Sequence, residues 1–270
     1  GRPLGGFSAA AYQPKQDRLW LLSDAPIGHL VPWGGLAQWL EGQRDTLRPG
    51  RRLLLRRGDG QPLPEGFDGE GLVIEGRQAW IASEGRRSQD RRARLIRIDL
   101  ASGQLQQELP LPQAWRATPG QGLGSNKGPE SLTALAPGDL LLAAEAPLLQ
   151  HQTEDGISLM RRAPGDALRT AGALDVGAAG RHDGLTELLA LPTRQQLLGL
   201  RRGFAPPDQW TARLQLFALP EHQGPPLQPI IGWDLLEAGL PPDNWEAMAL
   251  GPVLSDGRQT LVLASDDNFN

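Results

Sequence analysis

The sequence predicts an all-β protein of the β-propeller class, and three observations predict it. A motif of one acid followed by two aliphatic residues at alternate positions returns about every sixty residues. An apolar strand that ends in a charged residue follows each copy, and further strands fill the intervals. The chain also contains 34 Gly and 24 Pro, as expected for many tight turns. Four strands repeated radially are the pattern of propeller blades.

The repeated motif marks the first strand of each predicted blade. Its clear copies begin at Glu70, Glu130, Glu187 and Glu246, and a degenerate copy begins at Ser8. Five copies predict five four-stranded blades, or six if one blade is degenerate. We expect one domain over residues 1–270, with repeats that start near 8, 70, 130, 187 and 246.

Further strands follow each motif. The second strands end at Asp24, Glu84, Glu145, Arg201 and Asp266. Third strands are predicted at residues 52–56, 94–100, 158–162 and 213–219. A hairpin turn at 101–104 leads to a fourth strand at 105–111. The nearest helix candidate covers residues 33–43, and because the fifth copy stops after its second strand, we expect both ring-closing terminal strands to be missing.

Composition excludes several function classes. A net charge of −4 argues against a nucleic-acid surface, which needs clustered positive charge. The absence of cysteine excludes a disulfide framework and a thiolate metal site. No apolar run approaches the roughly 18 residues that a membrane span requires. We therefore expect a monomer that binds a small molecule rather than nucleic acid or a membrane.

The motif glutamates form the first candidate site. First strands line the channel of a propeller, so equivalent residues converge. This would place Glu70, Glu130, Glu187 and Glu246 in one ring at a channel mouth. Such carboxylates repel one another unless some are protonated or a cation lies among them. Oxygen ligands suit a hard cation such as calcium, so the sequence predicts a divalent-cation site.

The acids after the second strands would form an adjacent layer of metal ligands. They are Asp24, Glu84, Glu145 and Asp266, which would act with Glu70, Glu130 and Glu246. Alternatively, such acids accept hydrogen bonds from backbone amides and hold neighbouring blades in register. For a single acid both interpretations stay open, whereas four glutamates at one ring position favour a site.

Three basic residues are candidates for binding an anionic substrate. Lys127 lies in a glycine-rich loop just before Glu130 and could hold a phosphate, although such a loop also serves as a plain connection between blades. Arg201 and Arg202 could bind a carboxylate or phosphate ester. Arg201 could equally neutralise a neighbouring glutamate. Near the motif, His182 is the one histidine that could act as a general base.

Five short segments occur in one order along the chain: residues 5–8 (GGFS), 67–72 (FDGEGL), 82–85 (ASEG), 243–248 (DNWEAM) and 265–269 (SDDNF). Together they resemble the bacterial phytase-like family, whose domain is described as "esterase-like activity of phytase". The resemblance runs from Gly5 to Asn270. It implies a β-propeller, export to the periplasm or the cell exterior, and phosphoesterase or esterase activity. The chain departs from the family pattern at Arg201, where a carboxylate is usual.

Two functions follow as hypotheses. The first is a metal-assisted hydrolase of a phosphate or carboxylate ester, in which a cation activates water and a carboxylate accepts its proton. The motif glutamates would be ligands or base, and Lys127, Arg201 and Arg202 would hold the anion. The alternative is a non-catalytic binding or scaffold module whose acids join the blades. The absence of a complete nucleophile motif favours this alternative.

Overall fold

The computed structural model describes residues 5–64, 66–85, 92–151, 156–175, 183–220 and 223–267. In these residues nearly all regular structure is β-strand, arranged in five antiparallel sheets. Strands that are consecutive in the sequence are mostly neighbours in a sheet, as in the blades of a propeller. We number the four complete sheets as blades 1 to 4 and call the fifth the two-stranded sheet.

The strands of each sheet have the following bounds. Blade 1 contains β1 (Phe7–Gln13), β2 (Arg18–Ser23), β3 (His29–Gly34), β4 (Arg48–Pro49) and β5 (Leu53–Leu54). Blade 2 contains β6 (Gly69–Glu75), β7 (Gln78–Ser83), β8 (Arg94–Asp99) and β9 (Leu105–Pro110). Blade 3 contains β10 (Pro129–Ala136), β11 (Asp139–Ala144), β12 (Ile157–Arg162) and β13 (Arg169–Leu174). Blade 4 contains β14 (Asp183–Leu191), β15 (Gln196–Ala205), β16 (Gln209–Ala218) and β17 (Ile231–Asp234). The two-stranded sheet contains β18 (Trp245–Val253) and β19 (Gln259–Ser265).

The structure has four blades rather than the five or six that the repeats predict. Blades 1 to 4 have four or five strands each, whereas the fifth copy of the motif contributes only β18 and β19 in the described part of the chain. The two-stranded sheet still occupies a place in the ring, because β18 contacts β1 on one side and β14 on the other. The first strands β1, β6, β10, β14 and β18 therefore form a closed ring.

Apolar side chains between the sheets hold this ring together. The largest core cluster joins blades 2, 3 and 4 and includes Trp80, Trp115 and Phe217. The two-stranded sheet is fixed from both sides, since Met248 packs in a cluster with residues of blade 4 and Ala247 in a cluster with residues of blade 1. The second strands of blades 1 to 3 are nearly continuous apolar runs because both of their faces are covered.

The predicted strands are largely confirmed, with one error in blade 1. Second strands form in all five copies, and the third strands predicted in the later copies correspond to β8, β12 and β16. Residues 52–56 are not the third strand of blade 1, because β3 takes that place and β5 pairs only with its end. Pro32 lies within β3, and a proline inside a run argues against a strand when only the sequence is considered.

The helix candidate is confirmed over a shorter range. Helix α1 covers Leu36–Leu40 and follows Gly35, which has φ of 85°. Residues 33 and 34 belong to β3 instead. No helix among the described residues has the length and apolar character needed to cross a membrane.

Candidate active site at the mouth of the ring

Each first strand contains a β-bulge near its beginning, and these five bulges lie at equivalent positions of the ring. In every case one residue is left between two paired neighbours: Ser8, Glu70, Glu130, Thr186 and Glu246. A bulge redirects the side chain of the extra residue. The five side chains are therefore structurally equivalent, and three of them are glutamates.

The prediction that Glu187 belongs to this ring is wrong by one residue. Glu187 pairs with Leu200, and it is Thr186 that the bulge leaves unpaired. The Ser8 hydroxyl donates to the carbonyl oxygen of the residue before Glu70 at 2.6 Å, and the Thr186 hydroxyl donates to that of the residue before Glu246 at 3.1 Å. These matching bonds confirm the register. A one-residue shift in a strand moves a side chain to the other face, which separates Glu187 from the other acids.

Glu187 instead joins three first strands. Its carboxylate accepts a hydrogen bond from the backbone N–H of Leu188 at 2.9 Å and further bonds from the backbone N–H groups of Leu132 and Met248. The side chain is 2% exposed, and this burial raises its pKa well above the ordinary range, although the amide bonds oppose the rise. This geometry matches the structural role that the sequence left open for single acids.

The acids after the second strands also occupy equivalent places. These acids are Asp24, Glu84, Glu145 and Asp266. The backbone N–H of each one donates to the carbonyl oxygen of the residue two positions before the bulge in the first strand of the same sheet. In blade 4, Arg202 has this place because it pairs with Gly184, whereas Arg201 pairs with Leu185. The departure from a carboxylate therefore lies at Arg202 rather than at Arg201.

Arg201 lies away from these acids. It is 3% exposed, and this burial lowers its pKa, although the carboxylates of Asp183 and Asp175 oppose the decrease. Its predicted role in binding substrate therefore has no support from its position. His182 lies outside the described residues.

Eight carboxyl groups of the described residues interact electrostatically with one another and form what we call the acidic mouth: Asp24, Asp68, Glu70, Glu84, Glu130, Glu145, Glu246 and Asp266. Burial raises the pKa of Glu70 and of Glu130 well above the ordinary range, and neighbouring carboxylates raise both further. Burial likewise raises the pKa values of three other members to about 7, again with help from nearby carboxylates: Asp24, Glu84 and Glu246. Groups of this kind exchange protons near neutral pH.

Two basic side chains neutralise one sector of the acidic mouth. Lys127 donates from Nζ to Oε1 of Glu145 at 2.6 Å. Arg202 donates from Nη2 to Oε1 of Glu246. Lys127 therefore binds a carboxylate in this structure, and its predicted role in holding an anionic substrate would require that ion pair to open.

The opposite sector, around Asp24 and Glu70, has a different charge environment. The charged neighbours that shift the pKa of either residue most are carboxylates. Oδ1 of Asp24 is buried and has no hydrogen-bond partner among the described residues. A donor set made only of oxygen atoms suits a hard cation. However, no three His, Cys, Asp or Glu side chains in the described part of the chain are grouped so that they could hold a metal ion, so a cation would require these side chains to reorient.

A cleft of about 800 Å³ opens beside the acidic mouth. Asp68, Glu84 and Gly128 line its inner part, and Oε2 of Glu84 accepts a hydrogen bond from the Gly128 N–H at 2.7 Å. Loop residues 111–126 supply most of the remaining lining, including Trp115. The volume lies in the range of small-molecule sites. Glu84 is therefore a member of the acidic mouth that faces a space large enough for a substrate.

Comparison with known protein families agrees with this architecture. The model of the phytase-like family, described as "Esterase-like activity of phytase", matches residues 2–269. The chain belongs to the phytase-like family. No curated protein matches the sequence of this phytase-like chain.

Several solved propellers are distantly similar to the phytase-like chain. The β-propeller domain of Cps50 (Swd1) from Myceliophteria thermophila is 13% identical with a TM-score of 0.45, and the match covers 98% of this chain and 64% of that one. XC5397 from Xanthomonas campestris, a gluconolactonase, is 16% identical with a TM-score of 0.45 and coverage of 97% and 76%. The Pan2 WD40 domain of Neurospora crassa is 10% identical with a TM-score of 0.40 and coverage of 97% and 73%. The chain thus spans less than two thirds of the first of these three chains.

Proposed function

We propose that this protein is a hydrolase that cleaves a phosphate or carboxylate ester of a small molecule at the acidic mouth. One observation carries the proposal: three glutamates at equivalent bulges meet the acids of the second strands beside a cleft of about 800 Å³. Natural proteins place bulges next to active sites because they redirect side chains. The family description, esterase-like activity of phytase, is consistent with this chemistry.

In this proposal Glu84 and Glu130 carry out the acid–base catalysis. Glu84 lines the cleft, so it would accept the proton of an attacking water molecule. Glu130 forms a hydrogen bond with Glu84 and would hold that carboxylate in place and exchange the proton with it. The charges of Glu70 and Glu246 raise the pKa of neighbouring carboxyl groups, including Glu130. In this proposal they would keep protons available at the acidic mouth.

We also propose that the acidic mouth binds a divalent cation, with calcium as the best match to its oxygen donors. The residues that would hold it are Asp24, Glu70, Glu84, Glu130, Glu145, Glu246 and Asp266. Two observations support binding: the carboxyl groups raise one another's pKa values, and a buried oxygen of Asp24 has no partner within the described residues. A bound cation would polarise the ester and acidify a water molecule. The resemblance to exported family members further supports a periplasmic or extracellular location, and we propose a monomer.

The second candidate function is a non-catalytic binding or scaffold module. The observation that favours it is Glu187, which belongs to the motif yet bonds three backbone amides instead of joining the acidic mouth. Ser8 and Thr186 likewise bond the backbone of neighbouring sheets. If every motif residue had such a role, the ring would be structural only.

The variants Glu130→Gln and Glu108→Gln separate the two functions. Glu108 is an exposed residue of β9 that forms a long contact of 3.4 Å with Arg94, so its substitution is a matched control. On a panel of carboxylate and phosphate esters, we expect Glu130→Gln to reduce kcat by about 100-fold or more with little change in Tm. Glu108→Gln should retain full activity. If no ester is hydrolysed by the parent protein, or if Glu130→Gln retains activity, the hydrolase proposal fails.

A further inference from the structure

The cleft runs outward from the acidic mouth along one end of blade 2. Gly69 pairs with Ser83, Ser83 pairs with Arg94, and Arg94 pairs with Pro110, so these residues cross the four strands in order. Asp68, Glu84 and Leu111 directly adjoin this row and all line the cleft. Neighbouring strands lie about 4.8 Å apart. The cleft therefore extends roughly 10 Å from Glu84 beside β7 to Leu111 beside β9.

Two arginines line the cleft beyond Glu84. Arg116 donates from Nε to the carbonyl oxygen of Leu111 at 3.2 Å, which fixes its guanidinium at the end of β9. Arg92 lies two residues before Arg94, the partner of Pro110, and also lines the cleft. Both arginines are exposed. The cleft thus has carboxyl groups at its inner end and the Arg116 guanidinium at its outer end, with Arg92 beside β8 between them.

The lining between these ends suits a polar organic molecule. The neutral polar residues that line it are Gln113, Thr118, Gln121, Ser125 and Asn126. Buried Leu111, Trp115 and Leu123 supply the apolar part. Small-molecule sites commonly combine an apolar lining with a few polar groups that set orientation.

Charge fixes the orientation of a substrate in this cleft. The protein carries a net charge of −4, and the acidic mouth would repel an anionic group. Guanidinium groups, in contrast, bind carboxylate and phosphate in a bidentate manner. We propose that Arg92 and Arg116 form a specificity site for an anionic group, so that the substrate is an ester with a carboxylate or phosphate roughly 10 Å from the scissile bond. The inference rests on the proposed hydrolase function for its catalytic part and adds the substrate class.

A series of p-nitrophenyl esters tests this site. The acyl chains would be neutral, would end in a carboxylate, or would end in a phosphate, at several chain lengths. The variants are Arg116→Gln and Arg92→Gln, with Arg77→Gln as the matched control. Arg77 lies at the opposite end of the same blade, and its side chain is 80% exposed.

We expect the parent protein to prefer anionic esters of one length. Each cleft variant should raise KM for these esters about 10- to 100-fold, the loss expected for a charged hydrogen bond, without changing kcat/KM for neutral esters. Arg77→Gln should behave as the parent protein does. Comparison of the esters that end in a carboxylate with those that end in a phosphate shows which of the two anions the site prefers. Equal losses on neutral and anionic esters, or no loss at all, would overturn the proposal.

Binding without turnover keeps the two proposals separate. If the protein hydrolyses none of the esters, the hydrolase function fails, and calorimetry with monomethyl glutarate, monomethyl adipate and a monoanionic phosphonate analogue still tests the arginine site. Saturable binding that is weakened by Arg116→Gln and unaffected by Arg77→Gln supports it. The absence of binding, or binding that is equal in all variants, contradicts it.

Discussion

Arg202 forms an ion pair with Glu246 from the place that a carboxylate occupies in each other sheet of the ring. Both side chains are mostly buried, with 21% and 12% exposed. The positive charge lowers the pKa of Glu246 and of Glu130 and so opposes the effect of burial. Arg202 is therefore a fixed counter-ion for part of the acidic mouth.

Replacement of this counter-ion should strengthen cation binding. A cation at the acidic mouth is repelled by the guanidinium, so Arg202→Gln should lower the Kd for calcium about tenfold or more, as removal of one nearby charge predicts. Isothermal titration calorimetry measures the change. Arg213→Gln is the control, because Arg213 forms an exposed ion pair of 3.6 Å with Asp234 in the same blade. An unchanged Kd in Arg202→Gln would contradict the assigned role.

Substitution of Glu187 should destabilise the protein rather than act on catalysis. Glu187→Ala leaves three buried N–H groups without their acceptor, those of Leu188, Leu132 and Met248. Each lost partner costs about 1–3 kcal/mol, so the free energy of unfolding should fall by about 3 kcal/mol or more. Urea denaturation measures this loss, with Glu130→Gln as the comparison. A variant as stable as the parent would show that Glu187 does not join the sheets.

Stability should fall as pH rises through the neutral range. The pKa values of Asp24, Glu84 and Glu246 are about 7 in the folded protein, against ordinary values of 3.8, 4.5 and 4.5. The folded state keeps protons that the unfolded state has released. The stabilising contribution of these groups is therefore complete below about pH 4 and is lost as pH rises through 7.

Thermal unfolding between pH 4 and pH 8 in chelator tests this dependence. We expect the Tm of the parent protein to decrease toward pH 8. The double variant Glu84→Gln and Glu246→Gln should show a shallower decrease, because two of the groups no longer titrate. A Tm that rises over the interval would mean that the acidic mouth is not responsible for the pH dependence.

Gly128 should be intolerant of a side chain because it adjoins Glu84. A Cβ atom at Gly128 would lie 2.1 Å from Cβ of Glu84, so Gly128→Ala should displace the carboxylate that faces the cleft. We expect a loss of kcat of about 100-fold and a destabilisation of about 1–3 kcal/mol. Gly224→Ala is the control, since nothing lies within 4 Å of its Cβ position. Normal activity of Gly128→Ala would argue against Glu84 as the base.

The sequence predicts the ring because each repeat carries its own pattern of apolar strands. The second strands are recognisable by their apolar composition, and in blades 1 to 3 both of their faces are buried between sheets. The prediction misplaces one residue in blade 4, where Glu187-Leu188-Leu189 imitates the motif although the bulge lies at Thr186. Register depends on the partner strand, so the motif alone did not determine it. Arg202 is the signal that could have found this error. Aligning Arg202, instead of Arg201, with the acids after the other second strands shifts the motif of blade 4 by one residue and places the bulge at Thr186.

The cleft was not predictable, because it depends on contacts between distant parts of the chain. Loop residues 111–126 fold against blades 2 and 3, and burial of Trp115 holds them there. No periodic pattern in the sequence indicates this packing. The role of Glu84 as a cleft residue and the position of Arg116 therefore emerge only from the structure.

The most direct test of the acidic mouth is a calcium titration of Tm, for the parent protein and for Glu70→Gln, starting in chelator. The account predicts a saturable rise of Tm for the parent protein, because a ligand that binds only the folded state stabilises it, and a weaker rise for Glu70→Gln. A Tm that does not change with calcium, magnesium or manganese would contradict the proposal that the acidic mouth is a cation-assisted catalytic site.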